Sequence, residues 1–331
     1  MTNKVYLFVL FITGVIVWFT ICLYKIYYEG HSQISQVKYN LEKENIDLIY
    51  FGDSVLFSID TDDDLLGMKE FGIPIWKVPD ILRELTSWSL LDISHGNFSP
   101  VIYKEYANLI VQQPKKPKVV VIPINMRNFS SEWFYHPMYQ FDVYKSQIGA
   151  LTGKSFFENF SSYFKGRFLL ESRIKQWLKR DIDYNLINLN HDDLRTFISL
   201  ENNSTKREMI LFRYHYLYSL TSNHKYFANL KNTIDSLRSS GINVLTYITP
   251  INIEEGTRLL GKEFSDIVNN NVNIIEKFLT FNKIPFINLL KNVKNENFMD
   301  KHVVCEHVDY VGKRFIAFEI QKKITELKWL K

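Results

Sequence analysis

Cysteine is nearly absent: Cys22 and Cys305 are the only two in 331 residues. The first lies in an apolar stretch near the start and the second stands alone, so no intrachain disulfide framework is available. No CxxC pair and no cluster with zinc-ligand spacing occurs, and no metal or cofactor is expected. Neither sign of charge dominates. With 40 basic and 36 acidic residues the net charge is +4, which lacks the basic footprint of a nucleic-acid binder. Low-complexity tracts are missing, and the only repeat is a Pro-Ile-Asn triplet, at 123–125 and 250–252. Asn-x-Ser/Thr triplets begin at Asn97, Asn128, Asn159, Asn202 and Asn203. In a chain this rich in Asn they are read as coincidence rather than glycosylation sites.

The chain does have one long apolar run. Val5 to Tyr24 is 20 residues without a charge, flanked by Lys4 and Lys25. At 1.5 Å per residue such a helix is about 30 Å long, the thickness of a bilayer's hydrocarbon core. The segment that follows, Lys25-Ile26-Tyr27-Tyr28-Glu29, offers no small-x-small cleavage site, so residues 1–30 read as an uncleaved single-span anchor rather than a signal peptide. The very short N-terminal tail places the remainder outside the cytoplasm. The rival is a cytosolic domain on the opposite orientation, and the sparse flanking charge discriminates little between them. A cell-membrane, single-pass location follows as the expectation.

Residues 31–44 are polar and read as a linker or short helix. Beyond them apolar, β-branched runs predict strands at 47–51, 90–94, 118–124, 243–248 and 285–289. Helical patterns occupy Val101–Val111, Tyr226–Leu237, Ile267–Leu279 and Val311–Leu327, the last with Val311, Phe315 and Phe318 on its expected buried face at i, i+4 and i+7. Strands alternating with helices predict an α/β domain over residues 45–330, a three-layer αβα sandwich with about five parallel strands. From about 129 to 222 the strands stop, and a helical, aromatic, basic insertion is expected at the sheet's active edge.

Ser54 closes Gly52-Asp53-Ser54 just after the first strand, at the carboxyl edge where open α/β sheets bind ligands. A serine hydroxyl needs a base within hydrogen-bond reach. His307, just before the last helix, is the best candidate, with Asp309 a plausible N-cap for that helix. Acyl transfer also needs donors for an oxyanion. Gly96, after the second strand, offers a backbone N–H, and Asn125, after the third, offers an amide. For each the plain alternative is a loop role. His95, His136 and His302 have no comparable arrangement, and Cys305 is taken as packing.

The ordered set Ser54, Gly96, Asn125 and His307 resembles the SGNH hydrolases, the GDSL-like esterases and lipases, over about residues 45–330 apart from the insertion. The run from His307 to Gly312, then Phe315-Ile316-Ala317, is similar to that family's final block. The resemblance implies a flavodoxin-like αβα fold, Ser54 as nucleophile, His307 as general base, and an oxyanion hole from the N–H groups of Ser54 and Gly96 with the Asn125 amide. It implies no cofactor.

Two positions depart from the family pattern. The Asp expected three residues before the His is Val304. Glu306 is the nearest acid and the third candidate catalytic residue, although an adjacent carboxylate rarely reaches its neighbour's ring. Arg127 follows Asn125 closely, either as a cation for an anionic substrate group or as a loop-pairing arginine. Asp53 and Arg127 are the candidate substrate-binding residues. The expected function is an anchored serine esterase or O-acyltransferase acting on acylated envelope glycans or a lipid-linked ester. For transfer, a membrane-bound acyl-donor protein is a candidate partner. The alternative is a non-catalytic glycan-binding or assembly subunit on a degenerate scaffold.

Overall fold

The computed structural model describes residues 2–27, 31–53, 77–95, 98–130, 142–153, 158, 204–299 and 306–330. Five parallel strands form the centre: β1 (Leu48–Gly52), β2 (Leu90–Ser94), β3 (Val119–Ile124), β4 (Asn243–Ile248) and β5 (Phe286–Asn288), in the order β2-β1-β3-β4-β5. Every pairing is parallel, so all five carboxyl ends share one edge. The order 2-1-3-4-5 is the flavodoxin-like doubly wound arrangement, whose ligand crevice lies between β1 and β3.

Alternate residues of each strand feed two cores. Ile49, Phe51, Val120, Ile122, Val244 and Ile248 pack toward helices α2 (His31–Lys43), α4 (Pro100–Gln112), α7 (Lys225–Ser239) and α9 (Lys262–Phe281). Leu48, Tyr50, Val119, Val121, Leu245 and Tyr247 pack toward α3 (Val78–Leu85) and α10 (Tyr310–Glu326). The domain therefore has three layers. Among the insertion's described residues are two helices, α5 (Asp142–Leu151) and α6 (Ser204–Tyr216). The polar stretch 31–44 forms the helix α2 over most of its length, because Ile34, Val37 and Leu41 bury one face of it.

Proline 123 shapes the crevice. Val119 N donates to Asp47 O and Thr249 N donates to Ile124 O, so the odd-numbered positions of β3 face β1 and the even ones face β4. Pro123 has no N–H to give toward β1. The β1–β3 register stops at Tyr50 opposite Val121, whereas β3 and β4 stay paired to Ile124 opposite Ile248. Beyond Val121 the strands are released from each other, and the loops after β1 and β3 gain room.

The last helix buries a different face from the one its sequence pattern suggested. Val311 is 59% exposed and Phe318 is 52% exposed. The packed row is Gly312, Ile316, Ile320 and Ile324, whose i+4 spacing presents one ridge to the sheet. Helix α8 (Ile253–Leu260) depends on a small residue. A Cβ on Gly256 would stand 2.1 Å from the ring of the fully buried Phe264. Gly256→Ala should lower the melting temperature by roughly 3–10 °C in a thermal scan, the usual effect of about 1–3 kcal/mol of overpacking.

Helix α1 spans Thr2–Tyr27. Its described side chains from Phe8 to Ile21 are all exposed. Among the described residues no helix is long and apolar enough to cross a membrane.

Candidate active site

The carboxyl ends of β1 and β3 carry Asp53 and Asn125, both buried at 1% exposure. The chain from β5 returns to the same edge before α10. There Phe298 pairs antiparallel with Val308, Met299 N donates to His307 O at 2.9 Å, and Asp309 N donates to Asn297 O at 2.9 Å. Asp309 then caps α10, accepting from Gly312 N at 2.8 Å, while Asn297 Nδ2 donates to its other oxygen at 2.9 Å. These bonds fix the main chain on the C-terminal side of His307, which is buried at 4% exposure.

Gly312 lets the helix start close to this segment. Its Cβ would lie 2.7 Å from Val308 Cβ. Because Val308 adjoins His307, Gly312→Ala should disturb the histidine segment. We expect a melting temperature lower by a few degrees in a thermal scan, the usual effect of about 1–3 kcal/mol of overpacking.

One amide joins the two ends of the domain. Asn125 Nδ2 donates to Asp53 Oδ2 at 3.0 Å and to Glu306 Oε1 at 3.1 Å. Its Oδ1 accepts from Arg127 N at 3.0 Å, which starts the 3₁₀ turn Met126–Phe129. Both amide hydrogens and the carbonyl are thus engaged.

Glu306 is fully buried and accepts from three donors on two segments, the turn after β3 and helix α6. Arg127 Nη2 lies 2.7 Å from Oε1, Asn125 shares that oxygen, and Tyr216 OH donates to Oε2 at 2.7 Å. Arg127 is itself 3% exposed. A carboxylate taken wholly out of water needs such compensation, because burying it unpaired is very costly. The site therefore holds Arg127 as the ion-pair partner of Glu306 inside the domain.

Asp53 sits among buried phenols. Burial holds the hydroxyls of Tyr103, Tyr226 and Tyr247 well above the ordinary tyrosine range, and the Asp53 charge pushes each further up. Tyr218 is likewise raised by burial and by Glu306, and its OH donates to Met126 O at 2.5 Å. The segment carrying Tyr216 and Tyr218 is clamped to α9. The buried Asn271 donates to Tyr218 O at 2.7 Å and accepts from Leu220 N at 2.9 Å.

Of the residues singled out in the sequence, Asp53, Asn125, Arg127, Glu306 and His307 meet at this edge. Ser54 and Gly96 lie outside the described residues, as do His136, His302, Val304 and Cys305. His95 N donates to Gly52 O at 3.3 Å, and its ring lies beside Phe98 and Tyr144. Tyr216, Tyr218 and Asn271 were not among the candidates. Nothing local in the sequence marks them, since each acts on a partner far away in the chain. Among the described residues no three His, Cys, Asp or Glu side chains group at metal-binding distance.

No family model and no curated protein matches this sequence. Solved structures similar to it are GDSL-like lipases, acylhydrolases and esterases. They include an aryl esterase of M. Smegmatis (9% identity, 85% of this chain and 98% of that one, TM-score 0.41). A GDSL-like lipase from Bacteroides thetaiotaomicron has 10% identity, covering 92% of this chain and 99% of that one, with TM-score 0.41. A carbohydrate acetylesterase from Sinorhizobium meliloti has 8% identity, covering 85% and 99%, with TM-score 0.40. At such scores the fold rests on the chain's own strand order and register, and the chemistry on its own residues.

Proposed function

We propose that this chain is a membrane-anchored serine esterase or O-acyltransferase acting on acyl esters of cell-envelope glycans. The observation that carries the reading is the Asn125 bridge. One amide holds the carboxylates of Asp53 and Glu306, and the next residues in the chain are Ser54 and His307. The residues just before the candidate nucleophile and the candidate base, Asp53 and Glu306, some 250 positions apart by number, are thereby tied to a common point at the β1–β3 crevice.

In the proposed reaction Ser54 Oγ attacks the ester carbonyl and His307 accepts the hydroxyl proton. The N–H groups of Ser54 and Gly96 stabilise the oxyanion. The alcohol leaves with the proton from His307, giving an acyl-enzyme. Water or a sugar hydroxyl then attacks, again losing its proton to His307, and Oγ is released with that proton. Asn125, with both hydrogens on carboxylates, acts in this conformation as the brace of the site. Arg127 supports Glu306 instead of contacting substrate.

The glycan assignment draws on a groove of about 770 Å³ at the ends of β4 and β5. It is lined by Asn252, Asn295, Lys291, Lys294, Thr257 and Phe298 among others. The ammonium groups of Lys291 and Lys294 and the carboxylates of Glu254 and Glu296 line it as donors and acceptors suited to a polyhydroxylated ligand, and Phe298 in its lining is bridged to the residue after His307. The anchor rests on the uncharged run 5–24 and on the exposed apolar surface of α1, where Phe8 is 65% and Phe11 67% exposed. It would hold the domain at the outer face of the cell membrane.

A second reading is supported by one observation. Glu306, the acid nearest His307, is engaged by Arg127, Asn125 and Tyr216, as in a scaffold that binds glycan without turnover. Incubating the full-length protein in detergent with acetylated oligosaccharides separates the two. Acetate release, or acetyl movement to a second glycan, supports the enzyme. Saturable binding with neither product supports the binder.

A further inference from the structure

Helix α6 ends on Tyr216, whose hydroxyl reaches the buried carboxylate of Glu306 at 2.7 Å. We infer that Tyr216 is a positioning residue for His307 that acts through Glu306, which makes the helical insertion a working part of the catalytic centre. The inference rests on the esterase reading and extends it to a segment that no part of that reading uses.

Three observations carry it. First, the histidine segment is held from two directions. Main-chain pairing with 297–299 holds one side, through Met299 N to His307 O and Asp309 N to Asn297 O. The Glu306 side chain holds the other, so its donors decide where the backbone of His307 sits. Second, among the described residues Tyr216 alone engages Oε2, while Asn125 and Arg127 both meet Oε1. Without the Tyr216 hydroxyl the carboxylate can rotate about its axis, and its hold on the segment loosens. Third, Glu306 directly precedes His307 in the chain, so any shift of its buried carboxylate is passed to the backbone that carries the imidazole.

Tyr216 is rigidly mounted for this role. It is fully buried, and its ring meets Phe264 edge-on at 6.2 Å. Phe212, one turn earlier, also meets Phe264 edge-on at 5.4 Å. The downstream Tyr218 and Leu220 are hydrogen-bonded to Asn271 on α9. A displacement of α6 would pass to Glu306 and from there to the base.

The test uses full-length protein in detergent, a fluorophosphonate probe and p-nitrophenyl acetate. The labelling amplitude counts competent sites, and the rate constant measures each site's reactivity. Tyr216→Phe should keep the wild-type amplitude, label about ten- to a hundredfold more slowly, and lower kcat with KM unchanged. In a double-mutant cycle Tyr216→Phe should add nothing to Glu306→Gln. A wild-type rate at full amplitude would overturn the inference. So would a lower amplitude with an unchanged rate per site, which marks a purely structural role, or additive effects in the cycle. Where Tyr216→Phe gives no folded protein, Glu306→Gln decides: slowed labelling at full amplitude supports the inference, and a wild-type rate refutes it. Failure of the wild type itself to label would sink the esterase reading, and a labelled wild type with a normal Tyr216→Phe sinks only this inference.

Discussion

Ser54→Ala should abolish ester turnover, with a loss on the order of 10⁶, while the melting temperature stays close to wild type. That size follows from cases where removing the nucleophile of a serine hydrolase leaves only binding and oxyanion stabilisation. His307→Ala should cost a similar factor, and the double variant little more, because the two groups act as one unit. The physical basis is the brace. Asn125 holds the residues before both groups, and Pro123 ends the β1–β3 ladder just beneath them. Steady-state kinetics on p-nitrophenyl acetate would check this, with thermal melts as the folding control. A Ser54→Ala enzyme retaining more than about one per cent of activity would place the nucleophile elsewhere, since such a residue is far above what a hydroxyl-less site leaves.

Glu306→Ala should destabilise the fold by about 3–5 kcal/mol, the cost of leaving a buried cation without its partner. Arg127 is 3% exposed and Glu306 is 0% exposed, so water cannot replace the missing carboxylate. For a domain of this size the melting temperature should fall by roughly 6–15 °C. The informative comparison is the double variant Arg127→Met with Glu306→Leu. Replacing both members of a buried pair by apolar groups is often neutral, so much of the stability should return. Activity should not return with it, because Glu306 also holds the segment of His307 through Asn125 and Tyr216. Recovery of both would make the pair a stability device alone. Thermal denaturation read beside turnover on the three proteins distinguishes these outcomes.

Much of the architecture can be read from the chain because parallel strands covered on both faces are written as short apolar runs. The starts and ends of β2 and β4 coincide with those runs, and β1, β3 and β5 differ by one residue at one or both ends. The helices α4, α7, α9 and α10 follow from their periodic apolar positions. Two eight-residue helices, Val78–Leu85 and Ile253–Leu260, span barely two turns, too few to establish a period. On α10 Val311, Phe315 and Phe318 make an apolar stripe of their own, yet Val311 and Phe318 face solvent. The buried side was decided by Gly312, which alone permits contact with Val308.

The candidate site divides along a similar line. Asp53, Asn125 and His307 sit where strand ends and a helix start must bring them, and local sequence marks such places. What Glu306 and Arg127 do to each other depends on a side-chain pairing 179 positions apart by number. Tyr216 enters from an insertion whose docking no periodicity encodes, through a bond spanning 90 positions. A buried charge must find its partners, but sequence does not say from which element they come.

The most direct measurement is the site of covalent capture. Full-length protein is treated with a fluorophosphonate, digested, and the modified residue located by mass spectrometry, for wild type and His307→Ala. The account predicts a single adduct on Ser54 that is lost, or slowed at least a hundredfold, when the imidazole is removed. An adduct on another residue, or equal labelling of Ser54 without His307, would contradict it.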